Sequence, residues 1–293
     1  MKRVFIIVIV GSVFGSSCGQ EKNSVADIPS AAESPTIQTN LEPMLINPEG
    51  TTIASRFNTP TSFERLTIRP GSFGEYLRNL PLKKTGSLVH YFDGSIKEND
   101  GVYDAVVDMD IGKKNLQQCA DAIMRLRAEH LFLKGDYEQI HFNFTNGFRV
   151  DYSAWRNGNR MVVNGNKTSW RSTNTPSESY ESFREYMELI FNYAGTLSLS
   201  KELKAVDIND LQIGDVFIQG GSPGHAVIVV DMAINKETNE KLFLLAQSYM
   251  PAQETQILKN PNDPVISPWY NTDFNGELIL PEWTFKASDL KRF

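Results

Sequence analysis

Cys119 is the strongest candidate nucleophile in this sequence. Residues 115–133 predict a helix, with Asn115 as the N-cap and Gln118 three residues later in a pair similar to a capping box. Cys119 would then be the fourth residue of the helix, where the backbone N–H groups of the first turn favour negative charge. This field predicts a thiol pKa below the free value of about 8.5, and therefore a reactive thiolate.

His225 is the candidate general base for this thiol. It begins an apolar, β-branched segment directly after the glycine-rich residues 220–224. Glycine at such a point lets a second backbone or a substrate approach closely. Alternation along a strand would place His225 and Asp231 on one face, where a thiol on a helix packed against the sheet could meet the imidazole. A cysteine and a histidine in that arrangement can perform nucleophilic acyl transfer.

Three polar residues could complete such a site. Gln247, in the strand that follows, could bind the far ring nitrogen of His225 and fix its orientation. Asp231 is the alternative orienting residue, in an arrangement similar to that of transglutaminases. Gln118, next to the thiol, could donate a hydrogen bond to a developing oxyanion. The predicted site therefore contains Cys119, His225, Gln247 and Gln118, and the choice between Gln247 and Asp231 stays open.

Each of these side chains also has a structural interpretation. Cys119 falls on the apolar stripe of its helix, and free cysteine is among the residue types most often buried. His225 could equally be a hydrogen-bonded residue at a sheet edge. His90, His130 and His141 have no spacing typical of a metal site, so neither a metal nor a cofactor is predicted. The sequence thus leaves an enzymatic site and an inert, buried thiol both open.

Helices and strands must position these residues. Their predicted order indicates an α+β domain, because helices come first and a meander of strands follows. Capping residues and apolar periodicity predict helices over residues 72–80, 115–133 and 180–195. Strands are predicted over residues 102–111, 215–219, 225–232 and 241–247. Residues 139–152 alternate as a hairpin around Asn146-Gly147, and the polar residues 157–178 predict an exposed loop.

The segment between the candidate nucleophile and the candidate base is rich in aromatic residues, and seven of them form one candidate set: Phe148, Tyr152, Trp155, Trp170, Tyr180, Phe183 and Tyr186. In a functional interpretation they form a cleft wall that stacks on sugar rings or on peptide. In the structural interpretation, which we favour, they form a small core beneath a long loop.

The N-terminus is typical of an exported lipoprotein. Lys2 and Arg3 precede an apolar run too short to cross a bilayer, and small residues lead to Cys18. This cysteine resembles that of the bacterial lipobox, which implies a signal peptide over residues 1–17 and a lipid on Cys18. Residues 18–48 are polar and predict a flexible tether. We expect a membrane-anchored protein of the cell envelope, in the periplasm or at the cell surface; plain secretion is the alternative.

The composition of the whole chain is ordinary for a globular protein, with 41% hydrophobic residues. Residues 49–293 are long enough for a single domain with a sizeable core. The formal net charge of −6 argues against a nucleic-acid partner, because phosphate binding needs a basic surface.

The candidate residues also carry a family resemblance. Gln118-Cys119 at a helix start, Gly214-Asp215, the run from Gly224-His225 to Val229, and then Gln247 resemble papain-like cell-wall amidases of the CHAP and NlpC type. The resemblance implies a papain-like core, with a cysteine-bearing helix packed on an antiparallel sheet. It implies Cys119 as nucleophile, His225 as base, Gln247 as orienting residue and Gln118 near the oxyanion. The long separation of Cys119 from His225 would require an insertion, expected over residues 134–205.

The chain as a whole is similar to a family of uncharacterised lipoproteins of Bacteroides-type bacteria, which implies no function. The resemblance to amidases implies a cysteine hydrolase of the cell envelope that cleaves amide bonds in peptidoglycan stem peptides. The alternative is a non-catalytic binding or assembly lipoprotein on the same scaffold, with Cys119 buried and inert.

Overall fold

The computed structural model describes residues 44–98 and 100–293. The predicted signal peptide over residues 1–17, Cys18 and most of the predicted tether lie outside the described residues. Residues 44–48 are described, and Ile46 forms an isolated β-bridge with Phe57. Pairing within the domain thus extends into the segment predicted as tether. Over the described ranges, no helix combines the length and apolar character needed to cross a bilayer.

Six α-helices lie within the described ranges: α1 (Ile53–Arg56), α2 (Phe73–Arg78), α3 (Cys119–Leu133), α4 (Tyr152–Arg156), α5 (Tyr180–Tyr193) and α6 (Thr196–Glu202). The predicted helices around α2 and α5 are confirmed, and each begins after a serine whose side chain accepts a hydrogen bond from the first turn. Helix α3 ends as predicted at Leu133, and Gly135 just beyond it takes the left-handed conformation with φ of 73°.

Fifteen β-strands lie within the same ranges: β1 (Glu64–Arg65), β2 (Tyr103–Val106), β3 (His141–Asn143), β4 (Arg149–Asp151), β5 (Asn159–Asn164), β6 (Lys167–Ser172), β7 (Lys204–Ala205), β8 (Val216–Gln219), β9 (His225–Ile234), β10 (Lys241–Gln247), β11 (Gln256–Leu258), β12 (Tyr270–Asn271), β13 (Glu277–Ile279), β14 (Thr284–Lys286) and β15 (Leu290–Arg292). The three predicted strands around β8, β9 and β10 are confirmed. The strand predicted over residues 102–111 is much shorter.

The main sheet has the strand order β2-β11-β10-β9-β8-β15-β7, with β1 added beside β9 and β12 beside β10. Every strand pair in it is antiparallel. Strand β9 is the longest and all but its last residue are buried, as its β-branched, apolar sequence requires of a central strand. The predicted α+β class is therefore confirmed.

The sheet has an apolar core on each face. Ala226, Ile228 and Val230 of β9 belong to the core shared with helix α3. Val227 and Val229 belong to the opposite core, which Phe285 of the β13–β14 hairpin helps to fill. Because β9 is covered on both faces, the first residue of this strand is held between a helix on one side and a hairpin on the other.

The expected insertion, residues 134–205, contains helices α4, α5 and α6 and strands β3 to β7. The hairpin predicted around Asn146-Gly147 is confirmed by the pairing of β3 with β4. The prediction of a loop over residues 157–178 is wrong, because β5 and β6, of six residues each, form an antiparallel hairpin there. A two-residue connection closes this hairpin, and Gly165 supplies the positive φ of 59° that it needs. The polar composition of the strands concealed this turn.

Candidate active site

Helix α3 begins at Cys119, and the prediction that it begins after Asn115 is wrong. The Asn115 Oδ1 atom accepts a hydrogen bond from the backbone N–H of Ala252 at 2.8 Å, so this side chain joins two loops instead of capping the helix. Gln118 is the N-cap, with an extended backbone, and its N–H donates to the Asp121 carboxylate at 3.0 Å. Cys119 therefore lies at the very start of the helix, where first-turn N–H groups have no helical partners.

Cys119 and His225 line the same cavity, whose volume is about 650 Å³. Each is the first residue of its element, α3 and β9 respectively. Cys119 is half-buried, and the backbone N–H of Ala226, the residue after His225, donates a hydrogen bond to its sulfur. Gln118 also lines the cavity. Three of the four residues predicted for the site thus meet around one cavity.

The fourth predicted residue, Gln247, contacts His225 directly. The His225 Nε2 atom lies 2.9 Å from the Gln247 Oε1 atom, and the Gln247 Nε2 atom donates to Glu282 at 2.7 Å. A carboxylate can only accept, so Glu282 fixes the amide with Oε1 toward the imidazole. The His225 Nε2 atom must then carry the hydrogen. The lone pair is left on Nδ1, which is the nitrogen available to act as a base.

Glu282, which accepts the hydrogen bond from Gln247, also forms an ion pair with Lys97. The Lys97 Nζ atom lies 2.8 and 2.7 Å from the two carboxylate oxygens of Glu282. The Lys97 side chain is only 4% exposed. Glu282 lies in the connection between β13 and β14, 185 residues from Lys97. The sequence reasoning missed both residues, and no local signal could have joined two positions so far apart.

His225 is packed tightly by aromatic rings. It is 1% exposed, and its ring centroid lies 4.7 Å from that of Tyr249 and 5.3 Å from that of Trp283. Burial lowers the pKa of His225 to about 4; the hydrogen bond to Gln247 raises it and the charge of Lys97 lowers it further. The imidazole is therefore neutral at pH 7, the form that can take a proton.

The predicted lowering of the Cys119 pKa is wrong for the resting protein. Burial raises the pKa of this thiol to about 11. Hydrogen bonds from the backbone N–H groups of Ala120 and Ala226 oppose the effect, and the nearby carboxyl group of Asp121 adds to it. Desolvation outweighs the field of the helix because the sulfur lies between the start of α3 and strand β9. In the resting protein the cavity is thus lined by a neutral thiol and a neutral imidazole.

Asp121 is the one carboxyl group on the described wall of the cavity. It is 6% exposed, and among the described residues its Oδ1 atom has no hydrogen-bond partner. Burial raises its pKa to about 8, and the hydrogen bond from the Gln118 N–H lowers it. At pH 7 this group is mainly the neutral acid, so the cavity wall carries little negative charge.

Asp231 does not lie beside His225. Its carboxylate binds the Nε atoms of Arg65 at 2.8 Å and Arg78 at 2.6 Å. The pairing of β9 with β10 shifts register there, because consecutive β10 residues face Asp231 and Val229. This bulge reverses the alternation, so Asp231 turns to the opposite face of the sheet from His225. The prediction that both share one face is wrong, and Gln247 alone of the two candidates contacts the imidazole.

The candidate oxyanion donor is the side-chain amide of Gln118. The Gln118 Nε2 atom donates to the Asn115 Oδ1 atom at 3.2 Å, which leaves its second hydrogen for another acceptor.

None of the seven aromatic residues predicted as a possible cleft wall lines the cavity. Tyr152, Phe183 and Tyr186 are buried in the core between the sheet and the helices. The structural interpretation is confirmed for these residues and for Trp155, although their core is the main one rather than a small satellite, whereas Tyr180 is exposed.

Comparison with known proteins assigns the chain to a family. No curated protein and no solved structure matches it. Within residues 44–98 and 100–293, no group of three or more His, Cys, Asp and Glu side chains is arranged to hold a metal ion. The model of one family matches residues 53–292, a span that contains the cavity and the residues behind it, from Lys97 to Trp283. The chain therefore belongs to the family described as domain of unknown function (4846).

Proposed function

We propose that this protein is a cysteine-dependent amide hydrolase, with Cys119 as nucleophile, His225 as general base and Gln247 as the residue that orients the imidazole. One observation carries the proposal. The hydrogen bond from His225 Nε2 to Gln247, fixed by Glu282, reserves the lone pair of Nδ1 for a proton in the cavity that Cys119 also lines. Nucleophile, base and orienting residue are the three parts that thiol-based acyl transfer requires.

The two neutral groups define the order of the steps. As the Cys119 sulfur attacks a substrate carbonyl, its proton passes to the His225 Nδ1 atom and a carbon–sulfur bond forms. The carbonyl oxygen takes up the negative charge, stabilised by first-turn N–H groups of α3 and by the second amide hydrogen of Gln118. His225 then returns the proton to the departing amine, which leaves a thioester. Water, deprotonated by His225, hydrolyses the thioester and regenerates the thiol.

The scaffold is consistent with a papain-like core. A helix that begins at the nucleophilic cysteine packs on an antiparallel sheet, and the order along the chain is cysteine, histidine and then a polar orienting residue. Residues 134–205 would be an insertion into that core. With a lipid on Cys18 the domain would lie in the cell envelope, and peptide amides of peptidoglycan are the proposed class of substrate.

A non-catalytic binding lipoprotein is the second candidate function. The observation that favours it is the raised pKa of about 11 for Cys119, because a thiol that stays protonated is a poor nucleophile. The two candidates differ in whether His225 changes the reactivity of the sulfur at neutral pH.

The test measures the alkylation of Cys119 by iodoacetamide from pH 5 to 9 in a Cys18→Ser chain, whose sole remaining cysteine is Cys119. We expect His225→Ala to lower the rate at pH 7 by about tenfold or more, because it removes the group that accepts the thiol proton. His141→Ala is the matched control, since His141 lies in β3, away from the cavity. Equal rates in the parent and in His225→Ala, or labelling only after unfolding, would favour the binding lipoprotein.

A further inference from the structure

We infer that the cavity beside Cys119 accepts a substrate acyl group that carries no charge and is mainly apolar. This inference rests on the proposed function and adds the class of substrate to it. Its basis is the chemistry of the cavity wall, which supplies apolar surface and uncharged polar groups but no counter-ion for a charged residue.

The described residues that line the cavity carry few ionisable side chains. They include no Lys, Arg or Glu side chain, and Asp121 is the sole Asp. One oxygen of Asp121 accepts the Gln118 N–H, and the other is buried away from water. His225, held in its neutral form by burial, adds no positive charge. Lys97 and Glu282, which lie behind Gln247 and outside the lining, form an ion pair with each other.

A charged substrate residue would therefore lose its hydration in this cavity without gaining an ion pair. Groups transferred from water into such surroundings bind poorly unless a counter-charge or several hydrogen bonds replace the lost water. A glutamyl or lysyl acyl group meets that penalty, whereas an alanyl or phenylalanyl group does not. The discrimination would act on the residue whose carbonyl reaches Cys119.

The wall offers apolar contacts in place of charge. Leu116, Phe191 and Trp283 line the cavity from three different parts of the chain. Met250 also lines it and is 65% exposed, which places this flexible side chain at the mouth. The volume of about 650 Å³ lies within the range of small-molecule sites and exceeds what one side chain needs. An apolar residue and part of its peptide chain would fit.

One wall of the cavity is the glycine-rich segment before β9, which packs closely against the start of α6. The Thr196 hydroxyl, at the start of α6, donates to the carbonyl oxygen of Gly221 at 3.2 Å. A Cβ atom on Gly224 would lie 2.6 Å from both the Gly221 oxygen and the Thr196 Oγ1 atom. This close packing leaves no space behind the wall for a hydrated charged group, so we expect the residues that line the cavity to govern selection.

The experiment uses four dipeptidyl fluoromethyl ketones that differ at one residue, the one that donates the ketone: alanine, phenylalanine, glutamate or lysine. The labelling rate of Cys119 in the Cys18→Ser chain is followed by intact mass and divided by the rate with free cysteine. We expect alanine and phenylalanine probes to label about tenfold faster than the other two. A glutamate or lysine probe that labels as fast as the phenylalanine probe overturns the inference.

A change at the mouth of the cavity tests the same idea without disturbing the core. Met250→Lys should raise the rate of the glutamate probe and reduce the phenylalanine-to-glutamate ratio about fivefold. Met250→Gln, of similar size but uncharged, removes the apolar contact without adding a counter-charge and should reduce the ratio much less. Unchanged ratios in both variants contradict the inference. If no probe labels Cys119 faster than it labels free cysteine and His225→Ala has no effect, the proposed function itself fails, which is a separate outcome.

Discussion

Lys97 and Glu282 illustrate how residues outside the cavity can define the chemistry inside it. Glu282 is an acceptor for the amide of Gln247, and Lys97 balances its charge. Without the carboxylate, the amide of Gln247 could rotate and present its donor to the imidazole. His225 would then hold its hydrogen on the wrong nitrogen. The ion pair is therefore proposed to position the base through Gln247, without touching the substrate.

Glu282→Gln tests this positioning role at the scale of one residue. The variant leaves the buried Lys97 without its counter-ion and lets the Gln247 amide adopt either orientation. We expect a loss of about 1–3 kcal/mol in the free energy of unfolding, less than for a fully buried pair because the Glu282 side chain is 20% exposed. Urea denaturation measures the loss. Alkylation of Cys119 at pH 7 should also slow.

Glu277→Gln is the matched control for that variant, because Glu277 is an exposed carboxylate on β13 of the same hairpin. It should change neither the stability nor the alkylation rate. If Glu282→Gln behaves like this control in both measurements, the ion pair has no part in orienting His225.

At the scale of elements, the site depends on how closely the loop before β9 meets the start of α6. Gly224 has no space for a side chain, since a Cβ atom would also lie 2.8 Å from the carbonyl oxygen of Gln219. We expect Gly224→Ala to lower the free energy of unfolding by about 1–3 kcal/mol, the usual effect of overpacking a tight contact. Thermal unfolding measures the change.

Gly195→Ala provides the comparison. Gly195 lines the same cavity, but its extended backbone suits any residue and no atom lies within 4 Å of an added Cβ. This variant should unfold close to the temperature of the parent. If both variants lose similar stability, the loss comes from replacing a glycine in general and not from the close contact between Gly224 and Thr196.

The sequence predicts those elements whose signals are local. The Asn146-Gly147 hairpin, helix α5 and strands β8 to β10 are each recognisable from their own residues. The side-chain contact of His225 with Gln247 could be predicted because β9 and β10 are consecutive, paired strands. The start of α3 could not be predicted, because Asn115 is drawn away by the backbone of Ala252, which is 137 residues distant. The bulge near Val229 likewise depends on pairing between strands and leaves no local pattern.

For the molecule as a whole, two buried groups at the cavity give stability opposite dependences on pH. The pKa of His225 is lowered to about 4, so between pH 4 and its ordinary value of 6.5 the unfolded chain binds more protons and stability rises with pH. The pKa of Asp121 is raised from its ordinary value of 3.8 to about 8. The folded chain then holds the extra proton, and stability falls as pH rises from about 4 to 8.

Asp121→Asn should remove the second dependence and keep the first. The amide can still accept the hydrogen bond from Gln118, so the helix start is preserved. We expect the stability of the variant relative to the parent to increase steadily from pH 4 to pH 8, because only the folded parent must hold a proton that its unfolded chain has released. Urea midpoints at pH 4, 6 and 8 provide the measurement. The exposed Asp273 gives a control variant, Asp273→Asn, whose difference from the parent should not vary with pH; a flat difference for Asp121→Asn would contradict the expectation.

The raised pKa of Cys119 also bears on oxidation. Thiolates, rather than thiols, react with peroxides and disulfides. With a pKa of about 11, the resting thiolate fraction at pH 7 is roughly a few hundred times smaller than that of a free cysteine. In the oxidising surroundings that the proposed export would imply, the thiol would resist conversion to sulfenic acid or to a mixed disulfide. A sulfur ionised only while a substrate occupies the cavity would thus stay reduced between turnovers.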